Sequence, residues 1–133
     1  MTNRLVLMAA LVLGGCSVNS GNSMEQFKSQ QWQLAGAKGD TFTLQVAGDR
    51  LAGRGGCNRY FGAIEQIDAS TLTLGPVGAT RMMCVEGDLS AREGEFFGKL
   101  GQVKGYAIAG DRLELKSADG AVLLTFESRG AAR

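Results

Sequence analysis

Thr41-Phe42-Thr43-Leu44-Gln45-Val46-Ala47-Gly48-Asp49-Arg50-Leu51-Ala52-Gly53-Arg54 is the stretch that decides the fold class. Phe42, Leu44 and Val46 alternate with polar neighbours, the two-residue period of a half-buried strand. Gly48-Asp49 then interrupts the alternation, a two-residue hairpin signal, and Arg50 to Arg54 reads as the returning strand. The same five residues, Ala-Gly-Asp-Arg-Leu, recur at 109–113 between two further alternating segments. Both copies read as Gly-Asp hairpin turns carrying an exposed Arg, and the echo supports an antiparallel meander. A duplicated unit with two equivalent sites is the other reading.

Working outward, Trp32 and Leu34 mark an earlier strand after a helical turn or two over 24–30. Tyr60–Ile67 and Leu72–Leu74 read as strands joined by Asp68-Ala69-Ser70, and Pro76 marks a break or an edge position. Tyr106–Ala109, Leu113–Lys116 and Val122–Glu127 add three more. One main helix is expected over 88–100, where Leu89, Phe96 and Leu100, with Val103 beyond them, fall at helical spacing. Asp88 or Ser90 is placed to cap it. Gly94, Gly98 and Gly101 each cost about 1 kcal/mol against Ala in a helix interior. Tertiary packing must therefore hold this helix. Twenty glycines accord with many tight turns.

The N-terminus carries a separate message. Met1-Thr2-Asn3-Arg4 is a short basic head and Leu5–Leu13 is almost wholly apolar. The run is too short to span a bilayer, which takes about 20 apolar residues. It has the layout of a secretory signal. Leu13-Gly14-Gly15-Cys16 resembles a bacterial lipobox, which implies cleavage before Cys16 and acylation (palmitate among the chains) of that Cys. Two or more acyl chains anchor a protein stably, whereas one is marginal. By resemblance to Gram-negative sorting, Ser17 favours the periplasmic face of the outer membrane. Residues 1–15 thus read as a lipoprotein signal peptide, 16–25 as a lipid-anchored tether, 26–128 as the domain and 129–133 as a tail. The polar stretch 17–23 would span roughly 15 Å as a random coil.

Composition narrows the function. Lys plus Arg number 14 against 13 Asp plus Glu, and loss of Arg4 balances the mature chain. That leaves no electrostatic case for nucleic acid. There is no histidine, which excludes Ser-His-Asp and Cys-His chemistry and imidazole-ligated zinc. No metal or cofactor is expected. Once Cys16 is acylated, Cys57 and Cys84 remain. An even pair in an oxidising compartment reads first as a disulfide, with two unpaired buried thiols as one alternative. A reactive or redox pair is another, disfavoured by the absence of Cys-x-x-Cys spacing and of any His. Such a bridge would close a loop of about 28 residues, worth roughly 3.6 kcal/mol in the idealised chain-entropy model. Acidic pairs such as Glu65 with Asp68, or Glu93 with Glu95, could in principle serve a hydrolase, but such spacings are common in any domain. No enzyme is expected.

The most distinctive strings flank the two cysteines: Gly55-Gly56-Cys57-Asn58-Arg59-Tyr60-Phe61-Gly62 and Thr80-Arg81-Met82-Met83-Cys84. With Glu93-x-x-Phe96-x-x-x-Leu100, Leu113-Glu114-Leu115 and Leu124-Thr125-Phe126, they resemble the META/HslJ domain family over about 26–127. Ile64 departs from the usual pattern, where an aromatic often follows the first motif. The resemblance implies an α+β domain, with one main helix packed on a small, barrel-like antiparallel sheet. It implies no catalytic activity or cofactor. Members are commonly envelope lipoproteins, some heat-inducible, and their fold is similar to that of pilotins, which escort secretin subunits to the outer membrane. The expected roles follow: a non-enzymatic binding or stress-related factor with an unidentified envelope protein partner, or alternatively a pilotin-like chaperone with an apolar cleft beside its helix.

Read physically, Gly55 and Gly56 suit a positive φ or a close backbone approach. Asn58 can satisfy turn amides. Arg81 and Glu93 are expected to form a partly buried pair, because a lone carboxylate on the apolar helix face would be costly. The functional rival has Asn58, Tyr60 and Arg81 lining a groove for a polar or anionic ligand.

Overall fold

A computed structural model describes residues 20–82, 84–85 and 87–131. Cys16, the signal segment and residues 17–19 lie outside the described residues. Helix α1 (Ser20–Ser29) leads into strands β1 (Gln30–Leu34), β2 (Thr43–Ala47), β3 (Arg50–Gly55), β4 (Asn58–Ile67) and β5 (Leu72–Ala79). Helix α2 (Gly87–Leu100) follows, then β6 (Gly105–Ala109), β7 (Arg112–Lys116) and β8 (Val122–Ala131). Two readings shift. Residues 20–23, read as flexible tether, begin a helix, and residues 129–131, read as tail, extend the last strand. Both extensions use small or polar residues that carry no periodic apolar signal.

The eight strands form one antiparallel sheet in the order β5-β4-β3-β2-β1-β8-β7-β6. The sheet curls until its two edges meet at one end. There the Leu72 amide donates to the Lys104 carbonyl (3.2 Å) and the Tyr106 amide to the Ser70 carbonyl (3.0 Å). The fold is therefore α+β with a barrel-like sheet, as expected. Pro76 falls inside β5, the edge strand, where its missing N–H breaks no ladder bond that the core needs. At the seam, the Asp68 carboxylate accepts from the Ser70 and Thr71 amides (3.0 and 2.9 Å). These bonds, that to Ser70 first, hold its carboxyl below the usual range. The Tyr106 hydroxyl donates to the Asp68 carbonyl at 2.5 Å. Burial, and secondarily the Asp68 charge, push that phenol up to about 12.

The echoed pentapeptide is a pair of equivalent hairpins. Ala47 faces Arg50 and Ala109 faces Arg112 across two-residue loops. Gly48 and Gly110 have φ of 67° and 62°, while neither Asp has a positive φ. A positive φ at the first central residue alone matches the type II′ turn, which favours Gly there. The equivalence extends further: the Asp49 carbonyl accepts from the Ile64 amide and the Asp111 carbonyl from the Ser128 amide, each at 2.8 Å.

Inside the curl lie Trp32, Leu44, Leu51, Tyr60, Leu72, Tyr106, Leu113, Leu115 and Phe126, from one face of each strand. Helix α2 adds Phe96 and Leu100. The Phe96 ring sits 5.1 Å from Phe42, 5.5 Å from Tyr60 and 6.3 Å from Phe126. Such pairs contribute about 0.5–1.5 kcal/mol each beyond area burial. This offsets the glycine cost in α2, where a Cβ at Gly94 or Gly98 would meet nothing within 4 Å. Asp88 lies in the first turn rather than at the cap, still favourably placed against the helix dipole. Helix α1 contributes Phe27, whose ring packs tilted against Tyr106 at 4.8 Å. Its carbonyl accepts from the Trp32 indole at 3.2 Å.

Candidate functional site

The tight β3–β4 turn at Gly56-Cys57 runs directly beneath α2. A Cβ on Gly55 would meet the Phe97 ring at 2.6 Å. Gly56 has a φ of 84°, and a Cβ there would meet the Glu93 side chain at 3.1 Å. The two glycines thus divide the expected roles, one for close approach and one for positive φ. With the helix this near, Glu93 reaches the first residue of β4.

Asn58 is buried, and its backbone N–H and both side-chain polar atoms are bonded. Its backbone amide donates to Glu93 Oε2 at 3.0 Å. Its Nδ2 donates to both Glu93 oxygens (3.0 and 3.1 Å) and to the Met82 carbonyl (3.3 Å). Its Oδ1 accepts from Thr80 Oγ1 at 2.8 Å and from the Met82 amide at 2.6 Å. One side chain therefore ties β4, the segment after β5 and α2 together. Cys57 and Cys84 are bridged, with Cα atoms 5.5 Å apart, and the bridge lies against the same carboxylate. Asn58, Glu93 and the disulfide form one clasp.

The expected Arg81–Glu93 pair does not form. Arg81 is exposed, and among the described residues no ion pair joins the two. The half-buried carboxylate is answered by neutral N–H donors instead, which satisfy it without desolvating a second charge. Replacing Arg81 with Met is therefore expected to change the melting temperature by no more than a surface substitution does, under about 0.5 kcal/mol. A fall of several degrees in thermal denaturation would restore the pair.

Tyr60 is likewise part of the core. Its ring packs on Phe96 and Phe97, and its hydroxyl donates to the Thr43 carbonyl at 2.7 Å. Burial pushes that phenol far up, so it stays a donor. Tyr60 borders an arginine-walled groove over β1–β4, but neither Asn58 nor Arg81 lines it, so the three form no common ligand site.

Cys57, Cys84 and Glu93 present ligand atoms within 4.8 Å of one another. In the bridged state the sulfurs offer no thiolate, and thiolate is what binds metal. Glu93 is also already engaged by Asn58. The arrangement works chemically as a cross-link and not as a metal centre.

Sequence reasoning missed a broad surface depression. A groove of about 940 Å³ lies over β1–β4 and the end of β8, with Arg50, Arg54, Arg59 and Arg129 on its walls. Phe61, nearly half exposed, also lines it, and Arg50 stands 5.5 Å over that ring. The signal was present in the period-two pattern, since Arg50, Ala52 and Arg54 on β3 and Arg59 and Phe61 on β4 alternate away from the core.

A curled eight-strand antiparallel sheet with one helix locked on by a disulfide clasp defines the class, a small α+β half-barrel. The model of the META domain matches residues 24–130, so the chain belongs to the META-domain family. An NMR structure of a protein from Burkholderia xenovorans is similar, at 21% identity and a TM-score of 0.59, covering 90% of this chain and 94% of that one. A second NMR structure has 21% identity and a TM-score of 0.58, covering 84% and 95%. At such identities the likeness concerns the fold alone. Comparison with curated proteins returned no match.

Proposed function

We propose that the protein is a non-enzymatic envelope lipoprotein of the META/HslJ type. It is anchored through Cys16 at the periplasmic face of the outer membrane and serves as a binding or stress-related factor there. The lipobox-like Leu13-Gly14-Gly15-Cys16 carries this reading. The Cys57–Cys84 bridge accords with an oxidising compartment. One carboxylate of each pair considered for acid–base work has other employment: Asp68 holds the seam turn and Glu93 the clasp. Against the pilotin-like alternative, the space beside α2 is filled by Phe42, Tyr60, Phe96 and Phe126. The groove over β1–β4 has four arginines on its walls, which suits an apolar helix poorly.

The anchor is tested by growing cells with labelled palmitate. The wild-type chain is expected to take up label and to sediment with outer membranes, whereas Cys16→Ser should be unlabelled and soluble in the periplasm. Equal sedimentation of both chains, without label, would refute the anchor.

A further inference from the structure

The arginine-walled groove stands apart from the clasp and from the anchor. Its cross-strand chemistry is unusual. Arg54 and Arg59 are direct partners across β3 and β4, and like charges directly opposite in an antiparallel pair are destabilising. The equivalent hairpin avoids this arrangement. There Arg112 faces Glu127, and Lys116 faces Val122. In the first hairpin Arg50 faces Ala63 and turns over Phe61 instead. Arg129 joins the cluster from the irregular step between the Gln30 and Trp32 registers, where β1 and β8 slip. One acidic side chain, Asp40, lines the groove against four arginines. Among the described residues no ion pair neutralises any of the four.

We infer that this groove binds a ligand carrying two or more phosphate groups close together. Guanidinium forks match phosphate oxygens two at a time. Four arginines against one carboxylate leave three positive charges to be answered within a single depression, and neighbouring phosphates deliver that charge in a small volume. The size of the groove suits a discrete ligand of several groups. Its concavity favours such a ligand over the flat face of a bilayer. Phe61 supplies an apolar wall for a ring or chain that carries the phosphates. The source of those phosphates is either a free metabolite or the phosphorylated headgroup of a lipid.

The test uses the full chain with Cys16→Ser, which has no acyl anchor of its own, so its outcome is independent of the lipoprotein reading. Sodium tripolyphosphate is titrated calorimetrically into this chain and into the same chain with Arg54→Gln and Arg59→Gln. Binding is expected to weaken at least about tenfold in the double variant and to weaken for both as salt rises. The double variant is expected to melt no lower than its parent, because a like-charge contact has been removed. If it melts lower, Arg129→Gln, which lacks a cross-strand Arg, provides the same reading. A parallel arm uses vesicles of phosphatidylcholine and cardiolipin in equal parts, because the cardiolipin headgroup carries two phosphates. Tripolyphosphate binding together with arginine-dependent vesicle binding assigns the phosphates to a headgroup, and tripolyphosphate binding alone assigns them to a free ligand. Absent tripolyphosphate binding, binding undiminished by loss of the arginines, or binding to vesicles alone would each overturn the inference.

Discussion

Asn58→Ala is expected to cost about 3 kcal/mol of folding stability. The substitution removes the Nδ2 donations to Glu93 and Met82 and the Oδ1 acceptor used by Thr80 and the Met82 amide. Hydrogen bonds to a charged group are worth about 1.5–3 kcal/mol, and a buried polar atom left without a partner costs about 1–3 kcal/mol. Glu93 keeps the backbone amide of residue 58, so the loss stops short of stranding a whole charge. The disulfide persists and still joins the two segments, which holds the cost below that of a fully broken buried network. Urea denaturation of the oxidised protein measures the effect. A loss under about 1 kcal/mol would mean that water replaces the amide, and that the clasp is the disulfide alone.

Gly53→Ala should be at least as damaging, at about 4 kcal/mol. A Cβ at Gly53 would lie 2.2 Å from the Thr43 carbonyl oxygen and 2.7 Å from its carbon. Both are backbone atoms, so no side chain can swing aside. Relief requires β2 and β3 to part or the carbonyl to rotate. Either movement strains the Tyr60 hydroxyl bond, which uses that same oxygen. Overpacking costs about 1–3 kcal/mol, and a buried hydroxyl without its acceptor adds about 1–3 kcal/mol. Thermal denaturation beside a Gly94→Ala control separates this contact from a general effect of adding a methyl. The control lies on α2, where the new Cβ meets nothing within 4 Å, and it is expected to stabilise by up to about 1 kcal/mol. Equal melting temperatures for Gly53→Ala and the parent would show that the strands tolerate the separation.

Much of the local architecture was legible because it is written at short range. The strand alternation, the twin Gly-Asp turns, the helix at 88–100 and the edge position of Pro76 each depend on neighbours a few residues apart. Chain ends were read less well. Ser20–Ser23 and Arg129–Ala131 take up regular structure without an apolar period, the first joined to a helix that buries Phe27 and the second paired to β1. In the clasp, the motif residues were picked out but their pairing was not. Arg81 seemed the natural answer to Glu93 because opposite charges are the simplest rule available to a linear reading. The glycine approach of Gly55 and Gly56 to α2 instead brings Asn58 within reach of Glu93, 35 residues away.

The sequence by itself determined the order and kind of the strands, the presence of a signal-like N-terminus and the absence of imidazole chemistry, since these follow from composition and period. Only the tertiary structure decided which polar groups meet. The curl of the sheet made Asn58 the partner of Glu93 and left Arg81 in solvent. It also gathered four arginines, dispersed from residue 50 to residue 129, into one groove. Side-chain alternation specifies a face, but the sheet's curvature and strand order, set by long-range packing, specify its neighbours.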